Sequence, residues 1–128
     1  MTWERNAKFM TSPKTGLIDL GKRVAVVTGG GTGLGLACAR HLLAQGYEVL
    51  ALGKDCEALP EDEGFHFHDF DVTDDAAVAA PADLAPEADV LVNAAGIILH
   101  DMREFSPEGF RRVIDVNLGG TQAVTMAL

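Results

Sequence analysis

A cluster of glycines directly after a short apolar run constrains this chain more than any other feature. Residues 23–28 (RVAVVT) are β-branched and almost uninterruptedly apolar, which is typical of a strand buried on both faces of a parallel sheet. The glycine-rich segment 29–35 (GGGTGLG) follows at once. From Leu36 onwards, apolar residues recur at helical spacing until Gly46, which is a typical helix end. The pattern predicts a strand, a tight turn and a helix in immediate succession.

The rest of the chain alternates between the same two kinds of element. Further strands are predicted at residues 47–52, 65–71 and 89–93. Asp74 or Asp75 is expected to cap a small alanine-rich helix that ends between Pro81 and Pro86. The polar crossover between the second and third strands is unusually short, with room for one helical turn at residues 56–59.

A long helix is predicted after the fourth strand. Ser106 is a good N-cap and Pro107 a good first helical residue, while Gly119 and Gly120 weaken the middle of the helix. Strands and helices in strict alternation predict an α/β fold, a Rossmann-type doubly wound parallel sheet with helices on both faces. The fourth strand is apolar on both sides, which predicts burial, and the usual strand order 3-2-1-4 would place it at one edge of the sheet.

Net charge limits the partners of this chain. Lys and Arg number 10 against 19 Asp and Glu, a net charge of −9, which opposes binding to nucleic acid or to anionic membranes through bulk charge. Cys38 and Cys56 have no metal or redox spacing, no apolar run of about 18 residues occurs, and no signal core precedes Thr15. We therefore expect a soluble cytoplasmic protein, in which an anionic ligand is held by local backbone geometry.

The glycine-rich turn has the chemistry of a phosphate site. A pyrophosphate needs bare backbone N–H groups at a helix N-terminus, where side chains would block its approach. The ordinary G-x-G-x-x-G spacing fails, because Leu34 and Leu36 stand where its last glycine belongs. The pattern that fits is T-G-x-x-x-G-x-G from Thr28 to Gly35. A plain strand-to-helix turn without a ligand remains the alternative.

Three motifs in order resemble the short-chain dehydrogenase/reductase family over residues 17–128. They are the glycine pattern, Asp71 after the third strand, and residues 93–96 (NAAG) after the fourth, which depart from the family's motif at Ala94. The resemblance implies an oxidoreductase that transfers a hydride between the nicotinamide of NADP or NAD and an alcohol or carbonyl substrate. The cofactor-binding residues that it implies are Thr28, Gly29, Gly31, Thr32, Gly33, Leu34, Gly53, Lys54, Asp71, Val72, Asn93, Ala94, Ala95 and Gly96.

The resemblance also implies individual roles. Asp71 and Val72 would contact the adenine, although a turn-forming Asp is the alternative. Asn117 would help to hold a proton-relay water as the one catalytic residue present, the alternative being an amide satisfied by the backbone alone. We expect a dinucleotide-binding domain over residues 17–128, preceded by a flexible arm over 1–16. A non-catalytic nucleotide-binding domain is the second functional hypothesis.

Cofactor type, assembly and catalysis can also be predicted. Gly53 and Lys54 follow the second strand where NAD-selective sites place an acid, which favours NADP over NAD. The family's helix pairing favours a homo-oligomer, or a sheet completed by a missing C-terminal half. The only tyrosine is Tyr47, without a lysine four residues later, so the family's catalytic Ser, Tyr and Lys are absent and no turnover is expected. The end at Leu128, inside a helix, suggests truncation.

Other polar residues are assigned no function. His66 and His68 lack a third metal ligand, so no metal site is predicted and a solvated strand face is expected. Arg111 and Arg112 are interpreted as a surface pair on a helix. His100 is interpreted as incidental.

Overall fold

The computed structural model describes residues 21–57 and 60–128. The strands are β1 (Val24–Thr28), β2 (Glu48–Gly53), β3 (Phe65–Asp69) and β4 (Val90–Asn93). The helices are α1 (Gly33–Ala44), α2 (Ala80–Leu84), α3 (Pro107–Ile114) and α4 (Gly120–Ala127), with a 3₁₀ turn at Arg103–Phe105 and a π-helical segment at Asp115–Gly119. The expected arm over residues 1–16 lies outside the described residues, as do two of the four residues of the expected turn at 56–59.

The four strands form one parallel sheet in the order β3-β2-β1-β4, which confirms the predicted topology. Thr28 at the end of β1 is in register with Leu52 of β2 and with Asn93 of β4. The carboxyl ends of the three strands therefore lie side by side at the same end of the sheet, which is where ligands bind to sheets of this kind.

The core lies on both faces of the sheet. Val26 and Leu50 point to one face, where they pack with Val124 of α4. Val27 and Val49, their immediate neighbours along β1 and β2, pack on the other face with residues that include Leu36 of α1. Alternate residues of each strand thus enter separate apolar clusters, which explains why these strands are apolar throughout. The three-layer α/β arrangement predicted from the sequence is confirmed.

Two local predictions are wrong. Strand β4 was expected to be buried, but its apolar residues are only half-buried and Asn93 is exposed, because the strand pairs on one side alone. The small helix begins at Ala80, later than expected, so Pro81 lies in its first turn. The Asp74 carboxylate instead accepts a hydrogen bond from the backbone N–H of Ala76 at 3.0 Å, which stabilises a turn in front of the helix.

The expectation of a solvated histidine face is also wrong for His66. Its Nε2 lies 2.8 Å from Glu48 Oε2, while Lys22 Nζ lies 3.0 Å from Glu48 Oε1. The Glu48 carboxylate is almost fully buried at the amino-terminal end of the sheet, and both of its oxygens have partners. Within residues 21–57 and 60–128, no three His, Cys, Asp or Glu side chains are grouped as metal ligands would be.

The prediction for the last helix holds at its start. Ser106 Oγ accepts a hydrogen bond from the Gly109 N–H at 3.0 Å, as the N-cap prediction requires. Gly120 has a packing role, because a Cβ at this position would overlap the Val72 side chain. None of the helices in the described part of the chain has the length and apolarity needed to cross a membrane.

Candidate functional site

A cleft of about 530 Å³ opens at the carboxyl ends of the strands, within the range of small-molecule sites. Its walls come from the glycine-rich turn, from the residues after each strand, and from helix α3 with the π-helical segment. Eight residues expected from the sequence line it: Gly29, Thr32, Gly53, Lys54, Asp71, Val72, Ala95 and Gly96. Seven do not: Thr28, Gly31, Gly33, Leu34, Asn93, Ala94 and Asn117.

The glycine-rich turn needs its glycines for two distinct reasons. Gly33 begins helix α1 with φ at +47°, a left-handed conformation, and a Cβ there would meet no heavy atom within 4 Å. At Gly35 the obstacle is steric, because a Cβ would overlap the carbonyl oxygen of Gly29. The turn is therefore open at Gly33, where helix α1 begins, and closely packed at Gly35.

In the part of the chain that the structure describes, no side chain caps the N-terminus of helix α1. Its N-cap Thr32 makes no side-chain capping hydrogen bond, and the first turn holds no acidic residue. By contrast, helix α3 is capped by Ser106 and carries Glu108 in its first turn. The free N–H groups and the positive end of the helix dipole at α1 suit an anionic ligand.

Thr28 and Asn93 build the frame of the cleft. The buried Thr28 hydroxyl accepts hydrogen bonds from the backbone N–H groups of Ala94 and Ala95, both at 3.1 Å. Asn93 Nδ2 donates to Thr125 Oγ1 at 3.0 Å, which links β4 to helix α4. These side chains hold the end of β1 and the segment after β4 in place.

Lys54 and Asp71 form an ion pair in the cleft, with Nζ 2.7 Å from Oδ2. The other oxygen, Oδ1, accepts hydrogen bonds from the Thr73 N–H at 2.9 Å and the Thr73 hydroxyl at 2.7 Å. The Lys54 ammonium has the largest effect on the pKa of Asp71 and the two Thr73 hydrogen bonds have the next largest. Together they hold this pKa far below its ordinary value of 3.8. The hydrogen bond to Asp71 in turn raises the pKa of Lys54. Lys54 is therefore a paired cation in this structure.

Asn117 lies in the π-helical segment and bonds to the strand side of the cleft. Its Oδ1 accepts from the Ile97 N–H at 2.8 Å, and its Nδ2 donates to the Ile97 carbonyl at 3.0 Å. This is the hydrogen bonding expected of an amide satisfied by the backbone. The Asn117 carbonyl accepts from the Thr121 hydroxyl at 2.9 Å. π-Helical turns are frequent at functional sites, so this segment remains a candidate for one.

Sequence reasoning missed one wall of the cleft. Glu108, Arg111, Arg112, Asp115 and Val116 line it, although the two arginines were interpreted as a surface pair. Their spacing of three and four residues places them on one helix face. That spacing was the available signal, but it could not show which face the helix turns to the cleft.

Within residues 21–57 and 60–128, neither the tyrosine nor the serine lies in the cleft. Tyr47 is at the opposite end of the sheet, where the Arg23 guanidinium stacks 4.2 Å from its ring centre. The Ser106 hydroxyl is engaged as a helix cap. Among the described residues, no tyrosine or serine lines the cleft.

A family model described as short chain dehydrogenase matches residues 23–128. The chain is 39% identical over 108 residues to 2-dehydro-3-deoxy-L-rhamnonate dehydrogenase (NAD(+)) of a Sphingomonas species, covering 77% of this chain and 43% of the relative. It is 38% identical over 116 residues to acetoacetyl-CoA reductase of Rhizobium meliloti, covering 83% and 48%. The chain belongs to the short-chain dehydrogenase/reductase family of oxidoreductases and spans about half the length of these relatives.

Solved structures share the fold. ElxO with NADP bound superposes with a TM-score of 0.72 at 28% identity, covering 83% of this chain and 48% of that one. A protein described as a short chain dehydrogenase/reductase family protein gives the same TM-score at 35% identity, covering 82% and 47%. The predicted family and fold are thus confirmed.

Proposed function

We propose that this chain is the cofactor-binding part of an oxidoreductase that transfers a hydride between a nicotinamide cofactor and an alcohol or carbonyl substrate. The observation that supports this most strongly is the uncapped N-terminus of α1, which begins in a glycine-rich turn beside a cleft at the carboxyl ends of the strands. We assign residues 17–128 to one dinucleotide-binding domain.

The residues present fit a dinucleotide. The α1 N-terminus offers free N–H groups to a pyrophosphate, and Thr32 beside it lines the cleft. Asp71 is held ionised by its neighbours, which suits a carboxylate that accepts a hydrogen bond from an exocyclic amine. Ala95 and Gly96 carry little or no side chain, so a ribose can approach the backbone there.

Each part of the site has a separate task in this proposal. The bound nicotinamide supplies or accepts the hydride. The turn and α1 bind the phosphates, Asp71 and Val72 position the adenine, and the Asn117–Ile97 hydrogen bonds fix the π-helical segment against the strands. We retain Asn117 as the one proposed catalytic residue, which would help to hold a proton-relay water.

We propose NADP as the preferred cofactor, with NAD as the alternative. Relatives and neighbours point both ways, since one is named for NAD(+) and another structure holds NADP. The position after β2 decides the proposal here. Gly53 and Lys54 occupy it, so no acid repels a 2′-phosphate directly, although Asp55 follows.

We also propose that turnover requires residues that this chain lacks. Protonating an alkoxide needs a positioned acid, and the described part of the cleft contains no tyrosine to donate one. The same observation favours the second candidate, a nucleotide-binding domain without catalytic activity. Cofactor-dependent oxidation of alcohols by a chain extended to the length of its relatives, but not by the 128 residues alone, would distinguish the two.

Assembly remains part of the proposal. Phe110, Ile114 and Leu118 are spaced four residues apart and are 60%, 39% and 62% exposed. We propose that a second copy, or the remainder of a longer protein, covers this apolar stripe. Cys38 and Cys56 are free thiols, which agrees with the cytoplasm as the proposed location.

The test uses three variants at two glycines that share a left-handed backbone. Gly33→Asn and Gly33→Asp both tolerate φ > 0, but only Asp places a negative charge where the pyrophosphate would bind. We expect Gly33→Asp to weaken NADPH binding, measured by fluorescence titration, about tenfold more than Gly33→Asn. Gly46→Asp, at the other end of α1, should leave the affinity unchanged. Equal affinities for all three variants would contradict the phosphate site.

A further inference from the structure

The cleft-facing side of helix α3 carries two arginines that the proposed cofactor contacts do not use. Arg111 and Arg112 line the cleft together with Glu108 and Asp115, one turn before and one turn after them. Both arginines are exposed, so an incoming ligand can reach them. They belong to the same cavity as Lys54, which extends from the end of β2.

The two cationic walls differ in how far their charge is already neutralised. Lys54 is paired with Asp71 at 2.7 Å, so its charge is largely compensated. Arg112 forms no ion pair with any residue that the structure describes. Its positive charge nevertheless acts on Lys54, since it lowers the pKa of that ammonium against the stronger effect of Asp71. Arg112 therefore lies within electrostatic range of Lys54.

We propose that Arg112 is a specificity-determining residue, which together with Lys54 binds the 2′-phosphate that distinguishes NADP from NAD. The inference rests on the proposed function and adds Arg112 of helix α3 to Lys54, which follows β2. A guanidinium offers a planar, bidentate fit to phosphate and stays charged at every accessible pH. Two nearby cations repel each other, and a dianionic phosphate bound by both relieves that repulsion.

Acidic groups around the cleft set the limits of this effect. Glu108 and Asp115 lie on the same helix face as Arg112. Asp55 and Asp71 line the cleft beside Lys54, and Asp69 also acts on the Lys54 ammonium. These carboxylates oppose an anion, so Lys54 alone, already paired with Asp71, is a weak phosphate ligand. Arg111 and Arg112 both lack a carboxylate partner among the described residues, but only Arg112 acts on Lys54, so the discrimination depends on Arg112.

The test compares two small nucleotides, of which only one carries a 2′-phosphate. Calorimetric titration of 2′,5′-ADP and 5′-AMP against the 128-residue chain isolates the 2′-phosphate from nicotinamide and from turnover. We expect Arg112→Gln to weaken 2′,5′-ADP about tenfold and to change 5′-AMP less than about twofold. Arg112→Lys, which keeps the charge, should retain most of the preference. Thermal melts of each variant verify folding.

Two control variants remove the positive charge of an arginine other than Arg112. Arg40→Gln, on helix α1 and outside the cleft, should leave both affinities unchanged. Arg111→Gln lowers the net charge equally beside Arg112, and a much smaller loss than at Arg112 would support a specific contact. An unchanged 2′,5′-ADP affinity in Arg112→Gln, or an equal loss for both nucleotides, would overturn the inference alone. A wild type that binds neither nucleotide would overturn the proposed function itself.

Discussion

The two ends of the sheet treat charge in opposite ways. At the amino-terminal end, the Glu48 carboxylate is buried and bonded by Lys22 and His66, so its charge is compensated inside the protein. At the carboxyl end, the first turn of α1 has no capping side chain, and Lys54 and Asp71 pair in an open cleft. The Glu48 cluster links Lys22 to strands β2 and β3 at the start of the sheet. At the other end, the backbone N–H groups of α1 and the side chains of Lys54 and Asp71 stay available to a ligand. In the proposed function, stability and recognition are thus assigned to different ends of the same strands.

The largest effect is expected from crowding the turn itself. Gly35→Ala places a methyl group against the carbonyl of Gly29, which is backbone and cannot rotate away, so α1 must shift. We expect a loss of about 3 kcal/mol in the free energy of unfolding, measured by urea denaturation. NADPH binding should fall with it. Gly119→Ala, where φ is −58° and the added Cβ would come no closer than 3.8 Å to a heavy atom, is the control, and an equal loss there would refute the steric explanation.

The second prediction separates the two ends. Glu48→Gln keeps the size of the side chain but removes the charge that Lys22 and His66 share, at a cost of about 2 kcal/mol in the free energy of unfolding. Because Glu48 is remote from the cleft, nucleotide affinity under folded conditions should not change. A variant that kept its stability but lost NADPH affinity would show that the two ends are not independent.

The glycine-rich side of this contrast could be predicted from the sequence for local reasons, whereas the buried Glu48 cluster could not, because it joins residues far apart in the chain. The glycine spacing, the buried strands and the Ser106 cap depend on neighbouring residues, and the structure confirms the strand order and the cap. The Lys54–Asp71 pair joins residues 17 apart, which no local pattern specifies. The face of α3 that meets the cleft depends on how the helix packs, so Arg111 and Arg112 were assigned to the surface. Strand β4 is as apolar as its neighbours, but its single neighbour in the sheet leaves it half-exposed.

A smaller effect is expected at the open end. Lys54→Ala removes the cation from Asp71 and should weaken NADPH about threefold, because the remaining carboxylate then repels the 2′-phosphate. NADH affinity should stay the same or rise, since Asp71 is freed to accept a hydrogen bond from the adenine amine. Fluorescence titrations of both cofactors measure the change. Tighter NADH than NADPH binding by the wild type would contradict the proposed preference.

The smallest effect concerns pH. The pKa of Asp71 is lowered from 3.8, so its pairing stabilises the fold fully above that pH and the contribution is lost as pH falls towards the folded-state pKa. The pKa of Lys54 is raised from 10.5, so its contribution is complete below that pH and is lost as pH rises. The difference in unfolding free energy between wild type and Asp71→Asn should therefore be flat between about pH 4 and pH 10 and shrink outside this window. A difference that grew on acidification would contradict the pairing.

The most direct test of the central claim maps where a nucleotide binds along the strands. Backbone amide shifts of the isotope-labelled chain, followed by NMR during titration with NADPH, report each end of the sheet separately. The account predicts saturable shifts in the glycine-rich turn, at Lys54, at Asp71 to Thr73 and along the cleft face of α3, with Glu48, Gly64 and His66 unmoved. Shifts centred on the Glu48 cluster, or no saturable shift at the turn, would contradict it.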